Sequence, residues 1–559
     1  MFFLTSKTFR TSLLLCTAFL VVGLLISARA HDGEEHPHGG GPNGQPNQQP
    51  LVAMGKTPCI GGKAGTFPCR NIDLASFLPL ADIGGGTVND VWGWTDPLTD
   101  KEYALVGRSN GTGFVDISNP EHPVYLGSLP THSVDSIWRG IKVYANHAFI
   151  ISEAEGHGMQ VFDLTRLRNV VSAPVTFTED AHYNLFSRAH TLAINESTGF
   201  AYAAGVRGSS CISGLHIVDV RNPKTPTYAG CSNQDGYTHE TQCVSYRGPD
   251  AAYVGREICF SSNEDTLTIA DVTNKNAPVQ LSRTTYEGVG YTHQGWLTED
   301  QKHFLLDDEL DEMHNGVNST TYIWDVSDLD APAMKGVYKG QSKAIDHNLY
   351  IRGNRAYESN YRSGLRILDI SDVGTASLSE VGFFDIFPVD DEPQFNGAWS
   401  NYPFFRSGIV IVGGIEQGLF VLRPRTAVQS SLPFHLVLDT TGPDPQQAVA
   451  LDSMLLMRDP FPVVNTTNLL NAGTDKNTRV TLFMTDLYLA QGETASSVTV
   501  SLVDSDNQVF DLAAEAVRPN FDFVQVVFRL PDNLAQGKCT VKVKAHGQES
   551  NIGTFRIKS

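Results

Sequence analysis

One short pattern recurs along the middle of the chain and decides what the chain can fold into. It starts on a small residue, alternates apolar and other residues, and ends on Asp five positions later. It reads Gly111-Thr-Gly-Phe-Val-Asp116, Gly158-Met-Gln-Val-Phe-Asp163 and Gly214-Leu-His-Ile-Val-Asp219. It continues as Thr266-Leu-Thr-Ile-Ala-Asp271, Thr320-Thr-Tyr-Ile-Trp-Asp325 and Gly364-Leu-Arg-Ile-Leu-Asp369, and closes as Gly418-Leu-Phe-Val-Leu-Arg423. Alternation at period two makes strands. A spacing of about 40–55 residues, with several strands per unit, belongs to propeller blades rather than to a helical solenoid. A second marker keeps the same count: a polar residue, often with an aromatic residue three positions later. The pairs are Asn89/Trp92, Asp135/Trp138, His190/Ala193, His239/Gln242, His293/Trp296, His347/Tyr350 and Asn396/Trp399. Two markers in one phase predict an all-β chain with a seven-bladed β-propeller over 59–425. The aromatic partners read as core packing between blades. The repeated Asp residues each precede a turn and read as backbone caps.

The ends of the chain read differently. Lys7 and Arg10, an apolar run from Leu13 to Ile26, and Ala28-Arg29-Ala30 predict a secretory signal peptide over 1–30, cleaved after Ala30. Residues 31–58 open with His31-Asp-Gly-Glu-Glu-His36-Pro-His38 and continue rich in Gly, Pro, Asn and Gln, the composition of a disordered linker. The tract 426–559 lacks both markers. Its alternating runs Ser497-Val-Thr-Val-Ser-Leu-Val503 and Val524-Gln-Val-Val-Phe-Arg-Leu530, separated by turn residues, predict an Ig-like β-sandwich with its linker. No later segment is long and apolar enough to span a bilayer. The expected location is therefore secreted or extracellular, either cell-surface associated or periplasmic.

Cysteine usage agrees with an oxidising compartment. Outside the signal, Cys59, Cys69, Cys211, Cys231, Cys243 and Cys259 fall into three short-range pairs, although six cysteines allow fifteen connectivities. Cys539 is left over as a buried free thiol. Lys plus Arg number 41 against 61 Asp plus Glu, a net charge of −20. That excess of negative charge excludes nucleic acid and anionic membrane as general partners. A protein or glycan at the cell exterior remains open.

The first strand of each propeller blade lines the central channel. His190, His239, His293 and His347 then stand side by side at the channel mouth, with Asn89, Asp135 and Asn396 closing the ring. Loops after the second strands bring Glu153, Glu264, Asp307, Asp308, Glu309, Glu358 and Glu416 to the same face. Imidazole with carboxylate suits Mn, Fe, Zn or Cu, and an open position on such a metal activates water or oxygen. The metal-ligating candidates are His190, His239, His293, His347, Asp307 and Glu309. The plainer reading is a hydrogen-bonded network that fixes strand register. Asp307-Asp-Glu-Leu-Asp-Glu312 is the densest acidic run; it departs from the EF-hand pattern and leaves a loose Ca²⁺ site as an alternative to a solvated loop. There is no H-E-x-x-H helix or P-loop.

The central region also resembles a known family. Cys59-Ile-Gly-Gly-Lys-Ala-Gly-Thr-Phe-Pro-Cys69, Tyr237-Thr-His-Glu-Thr-Gln-Cys243, Tyr291-Thr-His-Gln-Gly-Trp-Leu-Thr-Glu-Asp300, Ile345-Asp-His-Asn-Leu-Tyr-Ile351 and Gly414-Ile-Glu-Gln-Gly-Leu-Phe-Val-Leu-Arg-Pro424 carry the likeness. The repeat is similar to the LVIVD repeat, and 59–425 resembles the choice-of-anchor B family of secreted bacterial proteins. The resemblance implies a fold and a compartment and no established reaction. The leading expectation is a binding or interaction module that uses the funnel face. Its rivals are a metal-dependent hydrolase or oxidase centred on the His funnel and a structural module of a surface layer or matrix. Whether a cofactor is present stays open, with Ca²⁺ or a transition metal as the candidates.

Overall fold

The computed structural model describes residues 51–425 without a break, and 434–558 except 440–443, 466–473, 486, 488, 490–492, 521–522 and 546–547. The expected signal peptide and most of the 31–58 tract lie outside the described residues. Seven small antiparallel sheets follow one another along the central region. The first is built from Val88–Thr95, Glu102–Arg108, Gly111–Asp116 and Val124–Pro130. The first strands of the next six are Arg139–Tyr144, Thr191–Asn195, Glu240–Ser245, Thr292–Leu297, Leu349–Arg352 and Ala398–Tyr402. Each of these seven strands touches the next, and the last touches the first, so the sheets close into a ring.

The ring is closed by the beginning of the chain. Ile72–Pro79 pairs with Gly418–Pro424 and supplies the outer strand of the seventh sheet. Met54 and Thr57 bridge to Phe77 and Leu74 on that strand. The end of the tract expected to be a disordered linker is therefore held by backbone pairing, and Leu51 and Met54 pack on the core beside it. The hairpin Lys63–Ala64 with Phe67–Arg70 extends the sixth sheet along Ser377–Phe384.

The repeated motif forms the third strand of each sheet. At its end the Asp side chain accepts the backbone N–H two residues on. The six bonds are Asp116 to Ser118 (3.0 Å), Asp163 to Thr165 (3.0 Å), Asp219 to Arg221 (3.1 Å), Asp271 to Thr273 (2.9 Å), Asp325 to Ser327 (3.0 Å) and Asp369 to Ser371 (2.9 Å). Asp is selected there because its short carboxylate closes such a turn. The fourth strand slips register by one residue against the third, opposite a small residue: Gly127, Gly230, Ser282, Gly336 and Gly382 in five sheets. The small residue lets the next sheet's turn approach. A Cβ on Gly230 would lie 1.7 Å from the Lys275 carbonyl oxygen. Ser282 and Ser76 instead donate to the equivalent carbonyls of Leu329 and Pro120, each at 2.7 Å.

Three disulfides form, Cys59–Cys69, Cys211–Cys231 and Cys243–Cys259. The last joins directly opposed residues of neighbouring strands in the fourth sheet. Cys539 is a buried free thiol. Within 434–558 two further sheets share one core around Val480, Leu482, Val500, Val526, Phe528, Val541 and Phe555. Among the described residues no helix is long and apolar enough to cross a membrane.

Candidate functional site

Four consecutive sheets present the four histidines at the heads of their first strands. His190 and His239 immediately precede Thr191–Asn195 and Glu240–Ser245, His293 lies in Thr292–Leu297, and His347 stands two residues before Leu349–Arg352. Their rings form an arc, with centroid separations of 4.2 Å (His190 to His239), 4.6 Å (His239 to His293) and 4.3 Å (His293 to His347).

Each ring is oriented through Nδ1. That atom lies 3.1 Å from the His293 carbonyl in His239, 2.8 Å from Asp307 Oδ1 in His293 and 2.6 Å from the Trp399 carbonyl in His347. In His190 it bonds the Glu153 carboxylate. A carbonyl only accepts, so Nδ1 carries the proton in His239 and His347, and a neutral ring then has its lone pair on Nε2. Metal-ligating histidines are oriented in this way by carboxylates and carbonyls.

A break in strand pairing aims His293. In the fifth sheet Thr292 pairs with Asp308 and Gln294 with Asp307, which leaves His293 bulged between them. Asp307 Oδ1 accepts both the His293 ring and the Gln294 N–H (3.1 Å). Bulges of this kind redirect a side chain without ending the strand. Glu309 then reaches over the arc. Its carboxylate lies 3.5 Å from His347 Nε2 and 4.0 Å from His293 Nε2, and accepts the Tyr361 hydroxyl at 2.8 Å. One ligand atom from each of His293, Glu309 and His347 lies within 4.8 Å of the others.

The arc is buried at one end and open at the other. The His293 and His347 side chains are each 3% exposed, whereas His190 is 16% and Glu153 27% exposed. Burial pushes Glu309 up to about 7, against the Tyr361 hydrogen bond. Burial also holds Asp307 well above the usual carboxylate range, reinforced by the charges of Glu309 and Glu358. Burial lowers the His190 pKa, but its bond to Glu153 outweighs that effect and the net shift is upward.

His190, His293 and His347 of the arc line a narrow cleft together with Asp90, Lys142, Glu240 and Trp399. Burial pushes Glu240 up to about 7, opposed by Lys142, His190 and a bond from Thr191. Trp92, Trp296, Tyr350 and Phe404, from the first, fifth, sixth and seventh sheets, meet in an aromatic cluster with ring contacts of 5.1–6.3 Å. The marker Trp92 and Trp296 thus pack across several sheets rather than in the wedge between two. Trp138 and Trp399 pack instead around Ile345, Tyr361 and Phe395.

The other expected ring members do different work. Asn89 Nδ2 donates to the Ile137 carbonyl (3.0 Å) and ties the first sheet to the second. Asp135 is exposed and stands four residues before its strand. Asn396 bonds Glu416 (2.5 Å) and accepts from Arg362, so these three hold one another. Glu358 accepts from Thr321 (2.8 Å) and Asn360 (3.3 Å), in a cleft shared with Arg366 and Glu380. Sequence alone does not single out two participants, Tyr361 and Glu240; a separate group, His132, Glu179 and His182, lies elsewhere in the second sheet's surroundings. Glu240 directly follows His239, and that adjacency was the available signal.

The LVIVD repeat family matches residues 100–131, the second, third and fourth strands of the first sheet. No curated protein matches the chain. Among solved structures, the extracellular domain of a putative one-component system from B. thetaiotaomicron aligns at TM-score 0.40 and 13% identity, over 86% of this chain and 59% of that one. The chain thus spans less than two thirds of that domain. The periplasmic gluconolactonase of Pseudomonas aeruginosa aligns at TM-score 0.38 and 10% identity, over 61% of this chain and 97% of that one. A protein from Lactobacillus plantarum aligns at TM-score 0.38 and 16% identity, over 61% and 94%.

Proposed function

We propose that the chain is an exported seven-bladed β-propeller of the choice-of-anchor B type, with an Ig-like sandwich over 426–559. On this reading its funnel binds a small polar ligand at a transition metal. The matched repeat, the closed ring of sheets and the three disulfides support the first part. One observation carries the second: His293 and His347, each fixed through Nδ1, turn Nε2 towards the same buried carboxylate, Glu309. Two imidazoles and a carboxylate suit Zn, Mn, Fe or Cu. They leave coordination positions for His239 or for a ligand entering from the open His190 end. Asp307 and the Trp399 carbonyl are the groups that hold the two rings. A metal-dependent hydrolase or oxidase is the second reading. The Glu153–His190 pair at the more exposed end favours it, because a carboxylate-oriented imidazole there is placed to exchange a proton with an entering ligand.

The test is metal content by mass spectrometry on exported, tag-free protein lacking residues 31–50, whose His-rich stretch would bind metal itself. About one Zn, Mn, Fe or Cu per chain, lost in His293→Ala/His347→Ala, is the expected result. Folded protein that carries no metal and keeps its stability in chelator overturns the reading and leaves the arc as a register network. Ligand capture without turnover separates the binding module from the enzyme.

A further inference from the structure

The acidic run that supplies Asp307 and Glu309 continues away from the His arc into a short helix, Asp311–Asn315. There Asp311 and Glu312 meet Asp346, which precedes the sixth sheet. One carboxylate oxygen from each lies within 4.8 Å of the others. The three residues are 0%, 3% and 3% exposed.

Their hydrogen bonds are one-sided. Asp311 Oδ2 accepts the Tyr322 hydroxyl (2.7 Å), and Glu312 Oε1 accepts the Asp346 N–H (3.0 Å). The second oxygens, Asp311 Oδ1 and Glu312 Oε2, are buried and have no hydrogen-bond partner. Asp346 accepts the N–H groups of Asp308 (3.3 Å) and Thr320 (2.5 Å). Among the described residues no Lys, Arg or His forms an ion pair with any of the three. A buried polar atom without a partner carries its full desolvation penalty, larger when charged, and three clustered carboxylates repel one another as well. A cation among them answers both problems. The donor set is oxygen only, which selects a hard cation. Ca²⁺ bonds oxygen at about 2.3–2.6 Å, so two of its ligands lie at most about 5 Å apart.

We propose that Asp311, Glu312 and Asp346 bind one Ca²⁺ ion, which pins the loop after the second strand of the fifth sheet to the segment leading into the sixth. The site shares no ligand with the His centre and stands whether or not that centre holds a metal.

The experiment uses the full exported chain, stripped with EGTA and titrated with Tb³⁺ and then Ca²⁺. Tyr322 bonds Asp311 directly and lies 4.6 Å from the Tyr286 ring, so Tb³⁺ in the site emits on tyrosine excitation. The expected result is one equivalent of sensitised Tb³⁺, displaced by Ca²⁺ and not by Zn²⁺, with a Ca²⁺-dependent rise in Tm of several degrees. Asp346→Asn loses both signals. Asp328→Asn, in the more exposed group Asp250, Asp328 and Asp330, keeps them. Wild-type protein with no sensitised emission and no Ca²⁺ shift in Tm overturns the proposal, as does an Asp346→Asn protein that retains both. If the three carboxylates share protons instead, Asp346→Asn is at least as stable as wild type and Ca²⁺ leaves both unchanged. The wild-type titration decides the matter even if the variant does not fold.

Discussion

Glu358 shows what burial does to one side chain here. Its pKa is raised from 4.5 to about 7 by burial, against bonds from Thr321 and Asn360. The folded chain therefore keeps a proton that the unfolded chain loses above pH 4.5. The associated stability is fully present below pH 4.5 and is lost as pH rises through about 7. Glu358→Gln removes that loss. Gln accepts from Thr321 as Glu does, and its amide can donate to Asn360 Oδ1, which is buried without a partner. Denaturation of both proteins at pH 4.5 and pH 7.5 is expected to show the variant gaining about 3 kcal/mol on the wild type between the two, at about 1.4 kcal/mol per pKa unit. Equal gaps at the two pH values would show that Glu358 titrates normally. Glu257 is held instead by a buried ion pair. It accepts Lys275 Nζ at 2.7 Å and Tyr202 Oη at 2.6 Å, and both ends of the ion pair are under 10% exposed. Lys275→Met strands a buried carboxylate and is expected to cost about 3–5 kcal/mol in urea denaturation, with much of that recovered in Glu257→Gln/Lys275→Met.

Between sheets, the contact that repeats is the small fourth-strand residue against the next sheet's turn. Gly230→Ala forces its methyl into the Lys275 carbonyl and is expected to cost about 1–3 kcal/mol by overpacking. Ser282→Ala only removes a donor from the Leu329 carbonyl and should cost about 1 kcal/mol. Thermal denaturation of the two variants side by side tests the order, and a costlier Ser282→Ala would reverse the account. This level is also where the sequence is most and least legible. The Asp at the end of each third strand is readable because one residue type performs one local task, closing its own turn. Gly127, Gly230, Ser282 and Gly336 lie at a constant offset from the third strand, so they too were readable, yet small residues are common and the offset gains meaning only beside the neighbouring turn. The four His positions follow from strand phase. The bulge at His293 does not, because a one-residue slip depends on which ladder bonds survive against Asp307 and Asp308. Asp135 failed for a related reason: the residue at the head of its strand is Trp138, so spacing from the aromatic partner pointed to an exposed loop position.

At the scale of the molecule, the order of the strands decides which parts can be removed. Closure depends on Ile72–Pro79, which lies far from Gly418–Pro424 in sequence and beside it in space. A chain beginning at residue 80 leaves Phe420 and Leu422 without the Phe77, Leu74 and Phe67 side chains of their cluster and opens an edge on the seventh sheet. Residues 434–558 are different, because their buried side chains form a cluster of their own that includes no residue from the ring of sheets. Two truncations therefore have opposite expected outcomes. A protein spanning 51–425 keeps a cooperative thermal transition and, on the reading proposed for the His arc, its metal. One spanning 80–559 loses the ring transition and retains only the unfolding of the C-terminal sheets. Calorimetry on both reads this directly, since each core contributes its own heat-absorption peak. If 51–425 failed to fold while 80–559 kept the ring transition, the ring would be held by the C-terminal sheets rather than by its own closing strand.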